Sequence, residues 1–173
     1  IRTLAASSSD AAYDGLNPGN VGLTNIDNET AGFEVDPLSV ITREDGTALP
    51  TFRVRLNSQP TGDVTIPIST SDATEGEPDV TELVFTSANW NAFQTVTVTG
   101  LDDAVADGDQ PYTIVLAPAS STDAGYDTLD PANVSAVNVD NDSPGITVTP
   151  RLGLVTSEAG GTDRFEMVLD SQP

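Results

Sequence analysis

The sequence contains no cysteine, no histidine and no lysine. Without Cys there is no thiolate nucleophile, no disulfide framework and no Cys-based zinc site. Without His there is no Ser-His-Asp triad and no imidazole metal ligand. Without Lys there is no Schiff base and no complete P-loop. Basic residues are scarce: 6 Lys+Arg, all of them Arg, face 27 Asp+Glu in 173 residues, a formal charge of −21. Phosphate contacts need a basic face, so nucleic acid is excluded as a partner, and anionic membrane surfaces repel the chain. No run approaches the roughly 20 apolar residues of a membrane helix, so no membrane insertion is expected.

What is present repeats itself. The segment "YDGLNPGNVGLTNIDN" from Tyr13 returns as "YDTLDPANVSAVNVDN" from Tyr126, and "LNSQP" from Leu56 returns as "LDSQP" from Leu169. Both pairs lie about 113 residues apart, and roughly 20 of 60 paired positions are identical. The expected division is residues 1–30 as the C-terminal part of one repeat, 31–143 as a complete repeat, and 144–173 as the N-terminal part of a third. The middle strands are missing from both end pieces. The opening at Ile1, the acidity, the Thr/Ser/Asp/Gly richness and the lack of Lys and Cys lead us to expect an excerpt from a long, secreted bacterial surface protein.

Within the complete repeat, apolar residues alternate with period two. Phe52, Val54 and Leu56 share one face, as do Val64, Ile66 and Ile68, then Val96 and Val98, then Tyr112, Ile114 and Leu116. β-Branched enrichment and turn residues between short runs predict an all-β fold of immunoglobulin-like antiparallel β-sandwich repeats, about seven strands each, strung in tandem. Pro67 cannot donate to a ladder, which predicts an edge strand or a bulge there. Trp90 reads as a packing lid over one sandwich end.

The acids cluster at strand ends: Glu44, Asp72, Asp102, Asp103, Asp107, Asp109, Asp140 and Asp142. Loops at one end of a sandwich converge, and like charges 4 Å apart repel by about 1 kcal/mol even in bulk water. A hard divalent cation removes that repulsion. Ca²⁺ accepts 6–8 oxygen ligands in flexible geometry, whereas Mg²⁺ demands a tight octahedron. Spacing alone leaves two readings open: a calcium site, or solvated loop acids that give solubility.

The stretches "LVFTSANWNAFQTVTVTGLDD" and "LDDAVADGDQPYTIVL", with the closing "VNVDND", resemble the Calx-beta repeat. That family is a seven-strand immunoglobulin-like sandwich of sodium–calcium exchangers, integrin subunits and large bacterial surface proteins. The resemblance implies calcium ligands at Glu44, Asp102, Asp103, Asp107, Asp140 and Asp142, with Asp72, or else Asp79, from the loop after the third strand. Asp109 matches a further acid of the motif. Two departures weaken the implied site: Asn141 stands where the family has a carboxylate, and Asp107 is shorter than the usual Glu.

These residues imply a non-catalytic structural repeat, a stalk or filament of an extracellular protein, stiffened by Ca²⁺. Its expected partners are neighbouring repeats of the same chain, with identical chains in a filament as a further one. An adhesion module for carbohydrate or a cell-surface partner is the alternative, for which aromatics at 5% give little support. Catalysis would have to rest on paired carboxylates, and a bound cation would neutralise the groups that acid–base work requires.

Overall fold

A computed structural model describes residues 1–173. Its strands are β1 (Phe33–Asp36), β2 (Ser39–Arg43), β3 (Thr51–Leu56), β4 (Val64–Thr70), β5 (Gly76–Pro78), β6 (Glu82–Phe85), β7 (Gln94–Gly100), β8 (Gln110–Leu116), β9 (Ser120–Ser121), β10 (Val134–Val139), β11 (Ile146–Thr149) and β12 (Glu166–Leu169). One sheet runs β1-β3-β7-β5. A second runs β2-β10-β8-β4-β6, with β9 against β4. β11 and β12 form a separate two-stranded ribbon.

Alternation is what makes the two sheets face each other. β3 buries Phe52, Val54 and Leu56, β7 buries Val96 and Val98, and β8 buries Tyr112, Ile114 and Leu116. These side chains meet Val64, Ile66, Ile68, Phe85 and Val134 in one core. Trp90 packs half-buried against that core, as a lid does. No helix of the structure is long and apolar enough to cross a membrane.

The strand count exceeds the expected seven for physical reasons. Pro37 divides the first strand: β1 pairs antiparallel with β3 in one sheet, and β2 pairs parallel with β10 in the other. β5 and β9 are short, at 3 and 2 residues. Pro67 corrects a further expectation. Its strand β4 is internal, between β8 and β6. The β6 ladder covers Val64–Pro67 and the β8 ladder begins at Ile68, so the proline sits at the changeover.

Outside residues 31–143 the chain is exposed. Residues 1–30 hold no strand, although Ile1 and Val21 exchange two main-chain hydrogen bonds, at 2.6 and 3.1 Å. The ribbon meets the sandwich where Gln172 N donates to Ala104 O at 2.5 Å beside a Val105–Gln172 bridge.

Candidate metal centre

The period of β2 aims Glu44 inward. Val40, Thr42 and Glu44 all lie on its buried face, and Glu44 is only 5% exposed. Its amide donates to Val139 O at 3.2 Å, which carries the parallel pairing of β2 with β10 one step past the strand end. Glu44 therefore stands beside the segment Asp140–Asp142. That segment folds round its own carboxylates: Asp142 N donates to Asp140 Oδ1 at 2.6 Å, and Asn141 N donates to Glu44 Oε2 at 3.1 Å. From the adjoining loop, Gly108 N donates to Asp140 Oδ2 at 2.7 Å.

One carboxylate oxygen from each of Glu44, Asp140 and Asp142 lies within 4.8 Å of the others. Asp142 Oδ2 is buried and has no hydrogen-bond partner. Both salt bridges of the molecule lie elsewhere, Arg53 with Asp36 and Arg55 with Glu34. Burial pushes the Glu44 carboxyl above its ordinary value, the charges of Asp140, Asp103 and Glu75 push the same way, and the Asn141 amide opposes them. Desolvation also raises Asp142, helped by Asp140, Asp102 and Asp103.

Under these acids lies a buried polar layer. Asn138 is 1% exposed; its amide donates to Leu101 O at 2.9 Å and to Glu75 Oε2 at 3.3 Å, and its oxygen accepts from Thr42 Oγ1 at 3.1 Å. Thr42 also meets the Tyr112 hydroxyl at 3.0 Å. These bonds tie β2, β10 and the start of the 101–109 loop together directly beneath the site. Gly100 is required here, because a Cβ would press on Arg43 O at 2.8 Å and Thr42 Cβ at 2.9 Å.

The anticipated acids divide into groups. Glu44, Asp140 and Asp142 come together. Asp102 Oδ1 accepts from Asn141 Nδ2 at 2.8 Å, so the asparagine inside the triplet fastens the loop. Asp103 accepts from Val105 N at 2.7 Å, and Asp109 accepts from Asp140 N at 3.3 Å. The Asp107 charge acts on Glu75. Asp72 is exposed and caps its own turn, accepting from Thr74 N at 3.0 Å and Thr74 Oγ1 at 2.6 Å. Asp79 accepts from Thr97 N at 2.9 Å, on the ladder of β5 with β7.

Sequence reasoning missed Glu75, which is 8% exposed and raised by burial, then by Asp107, Asp72 and Asp103. It precedes a short strand and follows no periodic run, so no signal marked it. Asn138 was missed as well, although a signal was there: it is a polar residue in phase with Val134 and Ala136 on the buried face of β10.

No protein-family model matches this chain, and no curated protein does. Solved structures do. The calcium binding domain CBD12 of CALX1.1 aligns over 72% of this chain and 52% of its own, at 18% identity and TM-score 0.49. The apo-form Calx CBD1 domain aligns over 66% of this chain and 100% of its own, at 18% identity and TM-score 0.49. The periplasmic chaperone SfaE aligns over 64% and 58%, at 10% identity and TM-score 0.50. This chain thus spans little more than half of the CALX1.1 and SfaE chains, and the likeness concerns fold alone.

Proposed function

We propose that this chain is a calcium-stiffened structural piece of a longer extracellular bacterial protein, a stalk or a filament, with residues 31–143 as one complete bead. The observation that carries the metal is Asp142 Oδ2, a buried carboxylate oxygen without a partner, beside two further carboxylates and with no arginine salt bridge to any of the three. An anion in that setting is costly unless neutralised. The donor set is all oxygen, which suits a hard cation. Glu44, Asp140 and Asp142 would hold it, with Asp102, Asp103 and Asp107 on the adjoining loop. The ion supplies positive charge where several carboxylates repel one another.

The protein's part is to pre-order those oxygens. Glu44 is fixed by the Asn141 amide, Asp140 by the Gly108 and Asp142 amides, and Asp102 by the Asn141 side chain. The loop that bears Asp102 and Asp103 also holds Gln172 of the following ribbon. Neutralising these acids therefore acts next to the junction between bead and ribbon, which supports a stiffening role. Asp72 and Asp109, like Asp102, Asp103 and Asp107, lie outside the three acids whose oxygens gather within 4.8 Å.

The test is thermal unfolding in calcium and then in chelator. A free ion concentration of 100 times Kd stabilises by about 2.7 kcal/mol. Calcium should raise Tm, magnesium should not, and Asp142→Asn should abolish the shift. Identical melting in calcium and chelator would overturn the proposal and leave the acids as a solvated face.

A further inference from the structure

Each sheet of the sandwich ends in two strands, and three of these edges are guarded. β1 carries Glu34 and Asp36 and runs into Pro37, β5 is only 3 residues long and carries Glu77 and Pro78, and β6 carries Glu82. Charges, prolines and short strands keep an edge from pairing with another chain. The remaining edge, β2, reads "SVITR". It has no acid and no proline, in a chain of net charge −21.

That edge is also open. β10 is the one strand that pairs with β2. Ser135 N donates to Leu38 O at 3.0 Å and Glu44 N donates to Val139 O at 3.2 Å, so the even-numbered peptide groups face β10. Those of Ser39 and Ile41, with the Arg43 amide, therefore face outward as an unpaired row. Exposed apolar side chains concentrate in the same stretch. Leu38, Ile41 and Leu49 are all more than half exposed, and Val84 is the one other large apolar residue of the sandwich in the open. Ile41 stands beside Val137 in the ladder with β10.

We propose that β2 of one copy pairs antiparallel with β2 of a second copy, across a twofold axis at Ile41. The segment is its own complement. Ile41 meets Ile41, the two exchanging main-chain hydrogen bonds, and Arg43 stands opposite Ser39. No carboxylate faces another across this pair, whereas β1 or β6 paired with itself would bring acids together, and like charges directly opposite destabilise a ladder. The flanking acids are turned to their own partners: Asp36 to Arg53, Asp45 to Thr47 and Glu44 to the buried cluster. For two copies that repel through 27 acids each, β2 is the edge of least repulsion. A contact with the same patch on both sides closes at the dimer. The inference goes beyond the stalk or filament reading. It uses residues of the sandwich alone and does not rest on the calcium site.

Sedimentation of the whole chain in chelator tests this. The mass should rise from 17.9 kDa to twice that value and stop there. Contacts burying under about 1,200 Å² in total are weak, so the dimer is read at high protein concentration. Raising salt from about 0.1 to about 1 M shortens the screening length from about 10 to about 3 Å and should increase the dimer fraction. Ile41→Glu sets two carboxylates face to face and should leave a monomer with an unchanged melting temperature, because the side chain is exposed. The chain has no cysteine, so Ile41→Cys introduces a single thiol. Opposed residues of a hydrogen-bonded antiparallel pair lie about 5.5 Å apart at Cα, within disulfide reach. Mild oxidation should link this variant into a dimer and leave Val84→Cys, on the guarded edge β6, monomeric. A wild-type monomer at every concentration and salt would overturn the proposal. So would a dimer that survives Ile41→Glu, or linkage through Val84→Cys as strong as through Ile41→Cys. With calcium chelated throughout, these outcomes are read separately from the metal proposal.

Discussion

Phe52 and Phe165 occupy matching places in matching segments, yet Phe52 is 1% exposed and Phe165 is 56% exposed. Tyr126 and Tyr13 differ in the same way, at 1% and 61%. The local structure around each pair is nevertheless alike. The ribbon keeps the register of β1 with β3, and the tail keeps the bonds of the Tyr126 loop. Hydrogen bonding and turn chemistry are thus set within short segments, whereas burial needs the opposing sheet. The sandwich has its middle strands β4 to β7 and the end segments do not.

The contrast is tested most severely at the two phenylalanines. Phe52→Ala should cost about 3–5 kcal/mol in denaturant unfolding, through lost transfer energy and a cavity. Phe165→Ala should stay within about 0.5 kcal/mol, as surface substitutions do. Equal losses would mean that the ribbon is covered in solution. The tyrosines come next. Tyr126→Phe leaves the Ser58 amide and carbonyl without the hydroxyl they share, a loss of about 1–3 kcal/mol, while Tyr13→Phe should be neutral.

A finer difference separates the same two loops. Thr128 sits at φ 62, and the matching residue of the tail is Gly15 at φ 79. A β-branched residue in the left-handed region is strained, whereas glycine is not. Thr128→Gly should therefore raise the stability of the sandwich, by less than about 1 kcal/mol once glycine's unfolded-state entropy is counted.

The last effect is read against pH, in chelator. Glu44, Glu75 and Asp142 lie above their ordinary values, with burial as the first cause of each. Carboxyls raised in the folded state contribute stability that is complete below their unfolded values and fades as pH rises through the folded ones. The metal-free chain should therefore melt higher at mildly acidic pH than at pH 7. Asp45, Asp72 and Asp123 are lowered by hydrogen bonds, and their contribution is lost only as pH falls below the ordinary carboxylate range. A Tm that falls steadily from neutral pH downwards would refute this reading of the site. In saturating calcium the trend should reverse, because protons then compete with the ion.

Much of the fold was legible from pattern. Period-two alternation placed Phe52, Val54, Leu56, Val96, Val98 and Ile114 on buried faces, and all are buried. Glu44, read from the sequence only as an acid at a strand end, is buried in phase with Val40 and Thr42. The strand order was not legible, nor was the switch of sheets at Pro37 or the internal place of β4, because hydrogen-bond partners are chosen across the whole chain.

At the site the division is similar. Sequence alone determined that the chain is acidic, that it lacks the side chains of most catalytic sites, and which acids stand at strand ends. Only the tertiary structure decided which of those acids meet. It gathered Glu44 with Asp140 and Asp142, turned Asp72 to its own loop, and brought in the unsuspected Glu75 above Asn138. A carboxylate's neighbours depend on where distant strands end, and its charge state depends on burial. Neither is a property of the few residues on either side of it.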